Sequence, residues 1–165
     1  MIIVVFGVAG VGKTTVGRLL AEELGWEFYD ADDFHPAGNI QKMKAGIPLT
    51  DEDRWPWLDR LRQLIESCLA ANENAVVGCS ALKRAYRDRL RVSEEVRFVF
   101  LRASRAQIAE QLQRRHGHFM PTTLLDSQFA DLEEPQLDEH ALTIDVEGLP
   151  REVTGLIKTK LSLQS

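Results

Sequence analysis

One stretch at the start of this chain limits its possible folds more than any other: a short β-branched run that leads straight into a glycine-patterned loop ending in lysine. Ile2, Ile3, Val4 and Val5, with Phe6, have the unbroken apolar character of a strand buried on both faces. Gly7-x-x-x-x-Gly12-Lys13-Thr14 follows, and Thr15 to Leu24 then reads as a helix. Strand, glycine loop and helix in that order form a phosphate cradle. The glycines let the backbone turn tightly and approach an anion without Cβ atoms in the way, and the helix N-terminus adds partial positive charge at the same point. Lys13 is then placed for the β- and γ-phosphates of a nucleotide, and the Thr14 hydroxyl for Mg²⁺. The candidate nucleotide contacts are Gly7, Gly10, Val11, Gly12, Lys13, Thr14 and Thr15.

The remaining chain alternates strand and helix patterns. Trp26 to Tyr29 reads as a second strand, Ala75 to Cys79 as a third, Val96 to Leu101 as a fourth and Ala141 to Val146 as a fifth. Between them lie helical segments: a short one from Asn39 to Ala45, one from about Asp53 to Ala71 capped by Thr50, a third long helix from Lys83 to Leu90, and further stretches to about Arg114, from Thr122 to Leu132 and from Pro150 to Leu161. The alternation predicts an α/β fold, a five-stranded parallel sheet with right-handed crossovers and helices on both faces. At 165 residues the chain suits a single domain. The apolar positions of the long helix, Trp57, Leu58, Leu61, Leu64, Ile65, Cys68 and Leu69, serve a core or a subunit interface equally well.

Composition removes several classes. With 25 acidic and 20 basic residues the net charge is −5, which gives no footprint for a nucleic-acid partner. No segment nears the roughly 20 apolar residues of a membrane span, and the apolar N-terminus lacks the basic leader of a signal peptide. Two cysteines, Cys68 and Cys79, make neither a disulfide framework nor a metal cluster; reduced thiols in the cytoplasm are expected. A regulatory GTPase is disfavoured because the guanine-reading Asn-Lys-x-Asp is absent.

In a parallel sheet ligands gather at the carboxyl ends of the strands. The second strand ends in Asp30-Ala31-Asp32-Asp33, whereas the third and fourth supply no carboxylate there. Period-two alternation turns Asp30 and Asp32 the same way. One then serves the metal and the other accepts a substrate proton, and spacing leaves the order open. Lys83 and Arg87, four apart after the third strand, form a pair suited to an anionic acceptor. Arg114 and Arg115 precede a Gly and Pro hinge, the pattern of a flap that brings arginine over the phosphates. These features together suggest a kinase whose acceptor is a small hydroxylated molecule.

The combination of the phosphate loop with Tyr29-Asp30-Ala31-Asp32-Asp33-Phe34-His35-Pro36, Asn39-x-x-Lys42-Met43, Gly46-Ile47-Pro48-Leu49-x-Asp51-x-Asp53-Arg54-x-Pro56-Trp57-Leu58, Cys79-Ser80-Ala81-Leu82-Lys83-x-x-Tyr86-Arg87-Asp88 and Gly117-His118-Phe119-Met120-Pro121 resembles the gluconokinases, P-loop small-metabolite kinases. The likeness runs from about Ile3 to Pro135. It implies a P-loop NTPase fold of the nucleoside-monophosphate-kinase type, with a lid at approximately 115–135. The implied activity is ATP-dependent, Mg²⁺-assisted phosphorylation of D-gluconate at its 6-hydroxyl by a homodimer. By position, Lys13, Asp32 and Arg115 would be catalytic; Thr14 and Asp30 would serve the metal; Asp32, His35, Lys83, Arg87 and His118 would meet the acceptor. For His35 substrate contact and a loop-holding role stand level. A shikimate-type enzyme shares the Asp-x-Asp but carries a glycine triplet where this chain has Cys79-Ser80-Ala81. An ATP-binding regulatory protein without catalysis is disfavoured by intact Lys13, Thr14, Asp30 and Asp32.

Overall fold

The computed structural model describes residues 1–114 and 122–164. Five strands, β1 (Ile2–Phe6), β2 (Glu27–Asp30), β3 (Ala75–Cys79), β4 (Val96–Arg102) and β5 (Leu142–Asp145), pair in the order β2-β3-β1-β4-β5, and every pairing is parallel. The helices are α1 (Lys13–Leu24), α2 (Ala37–Lys44), α3 (Asp51–Ala70), α4 (Arg84–Leu90), α5 (Arg105–Arg114), α6 (Thr122–Asp131) and α7 (Pro150–Lys160). The expected architecture is present, with boundaries shifted by one or two residues at most elements. The helix after β3 is the exception in kind: α4 is short at 7 residues, because Lys83 is its extended N-cap and Arg91 ends it.

β1 lies at the centre, and all five of its residues are buried. Its alternation feeds two cores. Ile2, Val4 and Phe6 pack with Trp57, Leu58, Leu61 and Ile65 of α3 and with Tyr86 and Leu90 of α4. Ile3 and Val5 pack with Val16 and Leu20 of α1 and with Val153 and Ile157 of α7. The apolar face of α3 is therefore core, which resolves the choice that periodicity left open.

Thr50 starts α3 with a complete capping box: its hydroxyl accepts from the Asp53 N–H, while the Asp53 carboxylate accepts from the Thr50 N–H. That cap sets the first turn of α3, and hence Arg54 and Trp57, against the end of β2. Both cysteines are free and buried. No helix among the described residues is long and apolar enough to cross a membrane.

Candidate active site

The strand run of β1 stops at Phe6 and the loop turns under it. A Cβ at Gly7 would stand 2.7 Å from the Leu101 carbonyl oxygen, so only glycine lets the loop pass β4 this closely. Gly12 holds φ 101° as the N-cap of α1, where L side chains are strained. It offers no side-chain cap, and the first turn of α1 carries no acidic residue. The helix thus starts with unsatisfied N–H groups and uncompensated positive charge, the condition that receives a phosphate.

Lys13 Nζ donates to the carbonyls of Gly7 and Val8, each at 3.0 Å, folding the ammonium back over the loop. Desolvation lowers its pKa, and the charges of Asp32 and Asp30 oppose that shift. Thr14 is exposed on the wall of a cavity of about 720 Å³, which Lys13, Asp30, Asp32, His35 and Arg54 also line. The loop and the end of β2 therefore face one space. A second cavity of about 270 Å³ lies on the other side of the loop, bordered by Gly12, Thr15 and Val11 together with Val146 and Gly148 after β5.

Asp30 and Asp32 do share a cavity, but alternation is not the cause. β2 ends at Asp30, and Ala31–Phe34 forms a 3-10 turn that Asp30 caps by accepting the Asp32 N–H at 3.0 Å. Desolvation, then the neighbouring Asp30 charge, raises the Asp32 carboxyl above its ordinary value, with Lys13 pulling the other way.

His35 is buried, its ring stacked on Trp57 at 4.3 Å between centroids. Its Nδ1 faces the Asn39 amide nitrogen at 3.1 Å and its Nε2 faces Asp32 Oδ1 at 3.7 Å. Burial first, then the Arg54 charge, lowers its pKa to about 4, so it is neutral near pH 7.

Arg87 corrects a sequence expectation. Its guanidinium is wholly buried, bidentate to Glu139 at 2.7 and 3.0 Å, and its remaining donor reaches the carbonyls of Ala81 and Leu82. With its Cζ over the Phe6 ring at 5.0 Å and no exposed surface, the guanidinium is held in the core and not presented to an acceptor. It clamps a turn in which Ala81 holds φ 39°, just past Ser80 on the cavity wall. Lys83 does not share a face with it: Lys83 bonds Asp51 at 3.2 Å and borders an adjoining cavity of about 590 Å³ rather than the large one. Arg115 and His118 lie outside the described residues.

Arg54 is the cation that sequence reasoning passed over. It is 8% exposed and lines both the large and the adjoining cavity. Its guanidinium donates to Tyr86 Oη at 2.7 Å and to Asp131 Oδ2 at 3.0 Å, and Asp51 stands 3.6 Å away, itself hydrogen-bonded by Tyr86. The signal available was its place four residues after the Thr50 cap, on the first turn of a helix facing the Asp-x-Asp turn.

No group of three or more His, Cys, Asp or Glu side chains suited to a metal occurs among the described residues. A Mg²⁺ ion needs only one or two protein oxygens and completes its shell with phosphates and water. Thr14 and Asp30, both on the cavity wall, supply donors of that kind.

The family model described as shikimate kinase matches residues 9–151. A thermosensitive gluconokinase of Escherichia coli (strain K12) is 49% identical over 145 residues, covering 87% of this chain and 78% of that protein. A sugar kinase from Janibacter sp. HTCC2649, solved without ligand, superposes with a TM-score of 0.92 at 43% identity, over 98% of this chain and 94% of the other. A gluconokinase from Sinorhizobium meliloti 1021 gives 0.84 at 43% identity, over 97% and 94%. With its phosphate loop, its β2-β3-β1-β4-β5 sheet and these likenesses, the chain carries a shikimate kinase-family domain on the P-loop fold and belongs to the gluconokinase family of enzymes.

Proposed function

We propose that this enzyme transfers the γ-phosphoryl group of ATP to the 6-hydroxyl of D-gluconate in one in-line step, releasing ADP and 6-phospho-D-gluconate. The observation that carries the reading is one cavity with the phosphate loop on one wall and Asp32, His35 and Arg54 on another. The gluconokinase names of its relatives support the acceptor.

In this mechanism the α1 N-terminus and Lys13 hold the nucleotide phosphates, and Lys13 offsets charge that spreads over the transferring group. Thr14 and Asp30 would hold Mg²⁺, which when bound neutralises phosphate oxygens. Asp32 accepts the hydroxyl proton; desolvation, then the Asp30 charge, raises its pKa, which makes it a better base than an ordinary aspartate. Arg54, held on the cavity wall by Tyr86 and Asp131, offers its remaining N–H groups to the acceptor carboxylate, in place of Lys83 and Arg87. The smaller cavity, walled by Val11, Val16 and Val146, suits the adenine ring. The lid at 115–135, with Arg115 and His118, closes over the phosphates, and the enzyme works as a cytoplasmic homodimer.

An ADP-release assay with Mg-ATP against gluconate, shikimate, glucose and nucleoside monophosphates tests the reading. Turnover with gluconate supports it, and turnover with shikimate instead overturns the acceptor. Asp32→Asn should lose most turnover while KM for ATP holds; a matching loss of ATP affinity would move Asp32 to the metal.

A further inference from the structure

We propose that His35 is a positioning residue: fixed by Asn39 in its Nε2–H tautomer, it aims that N–H at the Asp32 carboxylate and selects the rotamer that faces the acceptor hydroxyl. This rests on the assignment of Asp32 as the proton acceptor.

The tautomer follows from hydrogen-bond bookkeeping. The Asp53 backbone carbonyl can only accept, and the Asn39 side chain meets it at 2.8 Å, so the amide nitrogen and not its oxygen stands there. The other hydrogen of that nitrogen points to His35 Nδ1 at 3.1 Å. Nδ1 therefore carries the lone pair, and the ring hydrogen of the neutral imidazole is on Nε2. Nε2 faces Asp32 Oδ1 at 3.7 Å, longer than a hydrogen bond and of the kind that tightens when substrate is bound.

The surroundings hold this geometry from several sides. Trp57 stacks on the His35 ring at an interplanar angle of 15°, and its own indole N–H donates to the Ala31 carbonyl at 2.7 Å. One side chain of α3 thus fixes both the imidazole and the backbone turn that bears Asp32. The Asp32 N–H is tied to Asp30, yet its carboxylate is 68% exposed and makes no hydrogen bond among the described residues. With its backbone fixed and its carboxylate unbonded, Asp32 has more than one staggered rotamer open to it. A rigid N–H on Oδ1 selects one of them and leaves Oδ2 for the incoming hydroxyl. Arg54 and Asp30 are the other charged groups that act on this ring.

The test joins a spectrum to kinetics. In protein labelled with ¹⁵N-histidine, the long-range ¹H–¹⁵N pattern of His35, assigned by its loss in His35→Gln, should show protonated Nε2 and bare Nδ1. Asn39→Asp presents a carboxylate to Nδ1 and should shift the pattern toward Nδ1–H. Asn39→Asp and His35→Asn should lower kcat by about ten- to a hundredfold, the worth of one hydrogen bond to a charged group. KM for ATP and gluconate should stay within about threefold. His35→Gln, whose amide N–H reaches the place of Nε2–H, should recover most of kcat. Unfolding midpoints confirm that each variant is folded.

An Nδ1–H tautomer in the unaltered protein overturns the proposal. So does equal kcat for His35→Gln and His35→Asn, and so does a rise in KM for gluconate at unchanged kcat, which would make His35 an acceptor contact. Inactive Asp32→Asn alongside equal His35 variants sinks this proposal alone, whereas active Asp32→Asn sinks the base assignment and this with it.

Discussion

Replacing Glu139 by alanine separates a clamping Arg87 from one that touches substrate. Both side chains of the pair are fully buried, and the carboxylate takes two of the guanidinium hydrogen bonds. Removing it leaves a positive charge in the core next to Phe6 and Tyr86, with only the Ala81 and Leu82 carbonyls for company. Breaking a buried pair from one side costs about 3–5 kcal/mol. A domain of this size has about 5–15 kcal/mol in total. At about 2–4 °C per kcal/mol the unfolding midpoint should fall by roughly 6–20 °C. Urea denaturation at neutral pH, followed by tryptophan fluorescence, reads the free energy directly; kinetics at a temperature well below the new midpoint read the site. Arg87→Met combined with Glu139→Leu should recover most of the loss, because no uncompensated charge remains. A loss under about 1 kcal/mol in Glu139→Ala, together with a tenfold or larger rise in KM for gluconate, would refute the clamp and return Arg87 to the acceptor.

Lys13→Ala should lower kcat by about two to three orders of magnitude with an unchanged unfolding midpoint, since among the described residues Lys13 bonds only the loop carbonyls of Gly7 and Val8; near-normal turnover would remove it from phosphoryl transfer. Arg54→Lys should raise KM for gluconate at least about tenfold and leave KM for ATP alone, because a lysine cannot hold Tyr86 and Asp131 and still present N–H groups to the acceptor; steady-state kinetics with each substrate varied decide it. Stability should fall in acid. The Lys42 hydrogen bond, then the Thr50 N–H, hold Asp53 down to about 2 from its ordinary 3.8. For Glu139 burial pushes upward, but Arg87 and the Gln136 N–H outweigh it and leave the carboxyl below its usual range. Folded values below unfolded ones mean that the unfolded chain binds more protons, so this stability is complete above about pH 5 and is lost in more acid solution, for Asp53 as pH falls toward about 2. Urea midpoints at a series of pH values should show that loss, and Lys42→Met should make it shallower.

The sequence alone determined the sheet, the phosphate loop and the acidic end of β2. Each of these is written in neighbouring residues: an apolar run for a strand buried on both faces, a glycine-patterned loop that ends in Lys13 and Thr14 ahead of a helix, and Asp30 and Asp32 two apart where β2 stops. The family resemblance was legible for the same reason, since its motifs are contiguous. What only the tertiary structure decided concerns partners far apart in the chain. Lys83 and Arg87 look alike at helical spacing, yet Glu139, 52 residues on, takes Arg87 into the core. Arg54 looks like one more surface arginine after a helix cap until Tyr86, 32 residues away, and Asp131, 77 away, hold it on the cavity wall. Asp30 and Asp32 meet one cavity because a 3-10 turn, fixed by Trp57 of α3, replaces the alternation that spacing implied. A side chain's type states what it can bond, and its neighbours in sequence set its local backbone. Which long-range group claims its hydrogen bonds, and whether any remain for a ligand, is settled only when the cores close around it.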